Sequence, residues 1–186
     1  MIFQKFLFIV LFFSITCFAE NNPVPPKVFI DKGACPFECC KYGEWVAKTD
    51  IDLKDKIDGQ SVIEKIKNNE KVHAITGEVH TIPNAVEIIR NHGKFKKGDK
   101  IYLLTYQGEG FYKTWFNGSI SSEEILFPGF TESYEFKNCD PLKNDCWGQI
   151  INTKRESVWW VKLKTRKGQT GWTHQSKEFL GQDSCS

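Results

Sequence analysis

The chain has 186 residues, enough for one compact domain or two small ones. With 40% apolar residues, 26% charged residues and a net charge of +2, it is neither a disordered chain nor a strongly basic nucleic-acid binder. Seven cysteines and six tryptophans are many for this length, which points the reading towards compartment and aromatic packing.

Lys5 is the only charge before Glu20, and Phe6–Phe13 is an unbroken apolar run. Cys17-Phe18-Ala19 places small residues at the two positions a signal peptidase reads, so residues 1–19 are expected to be a secretory signal peptide. The run is far shorter than the ~20 apolar residues of a spanning helix, so no integral membrane span is expected after cleavage. The mature protein is expected to be exported, periplasmic or extracellular. Six cysteines remain in it: Cys35, Cys39, Cys40, Cys139, Cys146 and Cys185. An even number in an exported chain reads as disulfides. Cys139 and Cys146 enclose a loop with Asp140-Pro141 at its turn and are expected to pair. Cys35, Cys39 and Cys40 then share Cys185, which ties the first segment of the chain to the last. Cys39 and Cys40 are not expected to bond each other, because a vicinal disulfide strains the peptide between them. Cys35-x3-Cys39-Cys40 lacks a second ligand pair at zinc spacing and the histidines are scattered, so neither a metal nor a cofactor is expected.

Residues 20–44 read as a tether followed by a Cys-rich segment, with Glu20–Pro26 extended by its prolines. Beyond Trp45 the chain turns towards β-structure. Ser61–Lys67 and Ala85–Asn91 have the length of short helices, but β-branched residues are frequent in both. Lys65–Thr76 aligns with Lys94–Thr105 as an internal repeat: an apolar residue, a polar turn, then a β-rich strand. Gly98 in the second copy supplies the positive φ that a tight turn can require. Ile101–Tyr106 and Phe111–Phe116 flank Gln107-Gly108-Glu109-Gly110, and Asn117-Gly118 is a strong hairpin signal. Ser121–Ser157 is irregular and long for a connection, and reads as a disulfide-stapled insertion with one or two short strands. Trp159–Thr165 and Gln169–Thr173 flank a turn carrying Gly168. Alternation puts Trp159, Val161 and Leu163 on one face, and Trp160, Lys162 and Lys164 on the other.

Trp160–Trp172, with its Trp-x-x-apolar start and Gly-x-x-Gly-Trp end, resembles the closing hairpin of a bacterial SH3 domain. Phe95–Ile101 resembles an earlier strand-turn-strand of the same family, and Val62–Ile75 does so with Asn69 in the glycine position. The resemblance implies a mainly β protein of small, strongly bent SH3-like antiparallel barrels of five or six strands. It divides the chain into a degenerate repeat at 45–92 and a barrel at 93–186 carrying an insertion at 121–157; one elaborated barrel is the alternative. It also implies an exported, non-catalytic module that binds cell-wall peptidoglycan or a peptide. The opening of the family pattern is absent, Ile51–Asp55 being a distant analogue.

No Gly-x-Ser-x-Gly elbow occurs, and every mature cysteine has an oxidative explanation. Glu78 and His80 share a strand face by alternation and are the best acid/base pair for a hydrolase reading. Aromatic faces are stronger functional candidates, since they bury area at little entropic cost. Tyr112, Trp160 and Trp172, with the carboxylate of Glu109 at a loop tip, are the expected ligand-binding residues of a shallow groove between Glu109 and the Trp160 face. The expected partner is peptidoglycan or an envelope protein, and not nucleic acid. A secreted inhibitor or host-interacting effector, presenting its stapled loop as a wedge, is the alternative.

Overall fold

The computed structural model describes residues 23–125, 147–151 and 156–185. The leader at 1–19 and the expected Cys139–Cys146 staple lie outside the described residues. The strands are β1 (Phe29–Lys32), β2 (Gly43–Ala47), β3 (Ile51–Lys54), β4 (Val62–Ile66), β5 (Lys71–Ile82), β6 (Asn84–Ile88) and β7 (Lys100–Gly108), followed by β8 (Phe111–Phe116), β9 (Ser119–Glu124), β10 (Gly148–Ile150), β11 (Glu156–Lys164), β12 (Thr170–Thr173) and β13 (Phe179–Leu180). A short 3-10 turn, Ser176–Glu178, precedes β13. The fold is therefore mainly β, and all the strand pairs are antiparallel. Both segments of short-helix length are strands, β4 and β6, as their β-branched residues favour. No helix among the described residues is long and apolar enough to cross a membrane.

The strands form two sheets. One curls strongly into a half-barrel in the order β13-β2-β5-β11-β12-β3-β4, with β1 also on β5; the other is an open sheet in the order β10-β6-β7-β8-β9. The run β13-β2-β5-β11-β12 of the first matches the whole of the second, strand for strand. Within each, the pairing register also repeats. Gly43, Glu44, Trp45 and Val46 of β2 face Ala74, His73, Val72 and Lys71 of β5. Asn84, Ala85, Val86 and Glu87 of β6 face Leu103, Tyr102, Ile101 and Lys100 of β7.

The turns that enter β5 and β7 explain this match. Asn69 and Gly98 occupy the same left-handed position, with φ of 63° and 92°. Glu70 accepts a hydrogen bond from the Lys67 amide at 2.9 Å, as Asp99 does from the Lys96 amide at 2.7 Å. The Asn69 amide donates to the Ala47 carbonyl, and the Gly98 amide to the Ile88 carbonyl. Asparagine tolerates that conformation better than other L-residues, so it replaces glycine at small cost. The internal repeat read from sequence is thus a structural one.

The division at residue 92 does not follow the strand pairing. The hairpin β11–β12 pairs with β5 and completes the first sheet, while β6 to β10 lie wholly between β5 and β11 in the chain. The reason is burial: Val161 and Leu163 pack with Trp45, Ile51, Leu53, Val72 and Phe179 in one core. The other core holds Val86, Ile88, Phe95, Ile101, Tyr112 and Trp147. A register shift between Lys162 and Leu163 bends the long β5–β11 ladder. Strand β1, inside the segment read as a tether, docks on β5.

The cysteines tie the ends as expected. Cys39 bonds Cys185 across a sequence separation of 146, and Cys35 bonds Cys40. Main-chain bonds from Lys41 to Gln182 and from Ser184 to Cys39 hold the same two segments side by side.

Candidate functional site

The β7–β8 turn and the Cys35–Cys40 loop form the two lips of a cleft of about 430 Å³. The turn is built from three successive left-handed residues, Gly108 (φ 103°), Glu109 (φ 49°) and Gly110 (φ 84°). Glycine adopts this conformation freely; glutamate does so against its steric preference, a penalty of roughly 1 kcal/mol. The opposite lip is held by its disulfide, and the backbone of Glu38 comes within 3.5 Å of where a Gly108 Cβ would stand. Glu38 and Glu109 are exposed on the two lips. Neither has an ion-pair partner among the described residues. Phe37 and Phe111 supply the apolar walls, and Phe111 is 41% exposed. Such a cleft has a place for a ligand that combines an apolar body with a cationic group. Replacing Glu109 with glycine is expected to raise stability by about 0.5–1 kcal/mol. Chemical denaturation checks this; a loss of stability would mean the carboxylate holds the turn.

The four residues expected to bind ligand fall in three places. Glu109 lies on the cleft. Tyr112 does not: it is 1% exposed and packs inside the second core against Tyr106, because alternation from exposed Phe111 turns it inward. Trp160 and Trp172 lie on β11 and β12 of the other sheet, on the face turned away from its core. Trp160 is only 5% exposed, with His174 edge-on at 4.9 Å and the Lys54 ammonium 5.8 Å over its ring. Trp172 is half-buried, with the Lys162 ammonium 5.8 Å over its ring. Phe37 is an addition that the sequence reading missed. Its signal was a large apolar side chain in a short disulfide loop, which must rest on something; its ring meets Trp159 edge-on at 5.9 Å.

Glu78 and His80 do meet, with His80 Nε2 3.2 Å from Glu78 Oε2. Ile30 and Val158 stand directly opposite His80 on the flanking strands, and both are exposed, so the pair sits in an aliphatic surround on the sheet face.

Glu64 sits beside the β11–β12 turn, where Lys167 Nζ and Thr165 Oγ1 each donate to its carboxylate at 2.9 Å. The Lys167 hydrogen bond holds its carboxyl below the ordinary range. A carboxyl depressed in the folded state stabilises the fold above its unfolded pKa, and that contribution is lost as pH falls through the folded value. Lys167→Gln is therefore expected to flatten the acid limb of a Tm–pH profile below about pH 5. An unchanged limb would show that Lys167 does not set the titration of Glu64. Tyr42 shifts upward, chiefly through burial, and its hydroxyl donates to the Ala34 carbonyl, fixing the chain just before Cys35.

Comparison with protein-family models, with curated proteins and with solved structures finds no match to this chain.

Proposed function

We propose that this is an exported, non-catalytic binding protein built from two SH3-like units, one set within the other, whose partner is a cell-envelope component: peptidoglycan or an envelope protein. The repeated five-strand order and the matched turns at Asn69 and Gly98 support the SH3-like reading. The disulfides support an oxidising compartment. The observation that carries the binding role is the cleft between Glu38 and Glu109, walled by Phe37 and Phe111. Two uncompensated carboxylates beside exposed rings suit the amino groups of wall peptides or the basic side chains of a protein segment. This replaces the groove expected at Trp160.

Co-sedimentation of oxidised protein with purified peptidoglycan sacculi tests the reading. Saturable pelleting is expected, weakened about tenfold by Glu109→Lys, the scale of one lost charge-assisted contact. Pelleting by wild type that Glu109→Lys leaves intact would remove the cleft. Absence of pelleting by folded protein would remove peptidoglycan and leave an envelope protein as the partner to be captured through the same cleft.

A further inference from the structure

The outer face of the first sheet carries a second ordered feature. Thr76, Lys162, Trp172 and Lys54 stand opposite one another in a single row across β5, β11, β12 and β3. Directly opposed residues of antiparallel strands share a face. Lys164 lies in the neighbouring row on β11, and Arg166 follows at the β11–β12 turn. The two tryptophans hold two of these cations over the sheet: Lys54 over Trp160 and Lys162 over Trp172, each at 5.8 Å.

The charge on this face is unbalanced. Of its acidic residues, Asp52 pairs with Lys65 at 3.2 Å, while Glu44 and Glu78 meet His73 and His80, which carry charge only when protonated, at 2.9 and 3.2 Å. Lys54, Lys162, Lys164 and Arg166 have no carboxylate within ion-pair distance among the described residues. From this we infer that the face is a docking surface for an acidic polysaccharide.

Charge complementarity sets the sign of the partner, and the sheet sets its kind. The backbone groups of β11 and β12 are committed to ladders, so a polymer laid on the face meets side chains only. A peptide gains no strand pairing there. A pyranose ring instead offers a flat C–H face to the half-buried Trp172 once the Lys162 ammonium, which lies over that ring, turns to the sugar's carboxylate. The site is separate from the cleft at Glu109 and stands or falls independently of it.

The test is titration of the oxidised full chain with polygalacturonate, beside neutral dextran and poly-L-glutamate of matched charge, followed by tryptophan fluorescence. Polygalacturonate is expected to bind saturably, more weakly as salt rises, and about tenfold more weakly to the Lys54→Gln/Lys162→Gln variant. Trp172→Leu is expected to lose the preference for polygalacturonate over poly-L-glutamate. Circular dichroism and thermal melts establish that each variant is folded, and Lys54→Arg/Lys162→Arg keeps the charge should the glutamine pair be unstable. No saturable binding, equal binding of dextran, or equal binding of poly-L-glutamate by wild type would each overturn the proposal.

Discussion

Serine at both Cys39 and Cys185 is expected to lower the unfolding free energy by about 3–5 kcal/mol. The bridge spans a sequence separation of 146, so in the loop-closure account it removes much of the freedom of the unfolded chain. Serine at both Cys35 and Cys40 is expected to cost less, about 2 kcal/mol in the same account, because that loop spans a separation of only 5. Urea unfolding of the oxidised proteins, scored at constant slope, measures both. Equal losses for the two pairs would mean that local geometry, and not loop length, sets the contribution. The long bridge also holds the Cys35–Cys40 lip against the C-terminal segment, so its loss is expected to weaken the binding proposed for the cleft.

Trp45→Ala is expected to cost about 3–5 kcal/mol. Trp45 is 0% exposed on β2 and sits among Tyr42, Trp159 and Phe179, with ring centroids 6.2, 5.8 and 5.6 Å away. Its indole N–H donates to the Lys41 carbonyl at 3.1 Å. Truncation removes the buried ring, opens a cavity in a half-barrel that is curled around it, and leaves that carbonyl without its donor. Trp45→Phe fills most of the space and is expected to recover roughly half of the loss. Thermal and urea unfolding of the pair check this. A cost for alanine below about 2 kcal/mol would show that Tyr42 and Phe179 collapse into the space.

The amino-acid sequence carries the chemistry of short segments openly. Asn117-Gly118 is a hairpin with both residues left-handed, at φ of 46° and 81°. Phe111–Phe116 forms a strand at those bounds, and Val161 and Leu163 point inward as their alternation requires. The repeat was legible because one polar turn, capped by its own acidic residue, specifies the same backbone twice. Which strand β11 would join was not legible. Its partner β5 lies across all of β6 to β10, and nothing local distinguishes β5 from β7 as the receiving edge. The cleft was half legible for the same reason. Glu109 announced itself between two glycines, whereas Phe37 and Glu38 reach it only through long-range packing. Tyr112 and Phe111 are neighbours on one strand, and choosing which faces outward requires knowing which side of the sheet is covered.

The enclosure of one sheet's strands between two strands of the other has a kinetic consequence. A chain that emerges N-terminus first can finish the inner sheet once β10 is out, while the outer one still lacks β11, β12 and β13. Until then β5 presents an unpaired edge along its 12 residues, an invitation to mispairing. The inner strands also draw the ends of their segment together, since the Ile151 amide donates to the Ala85 carbonyl. Their closure delivers β11 beside β5 and shortens the search that the outer ladder must make. Pulse-labelled hydrogen exchange during refolding should accordingly show amides of β6 and β7 protected before those where β5 meets β11.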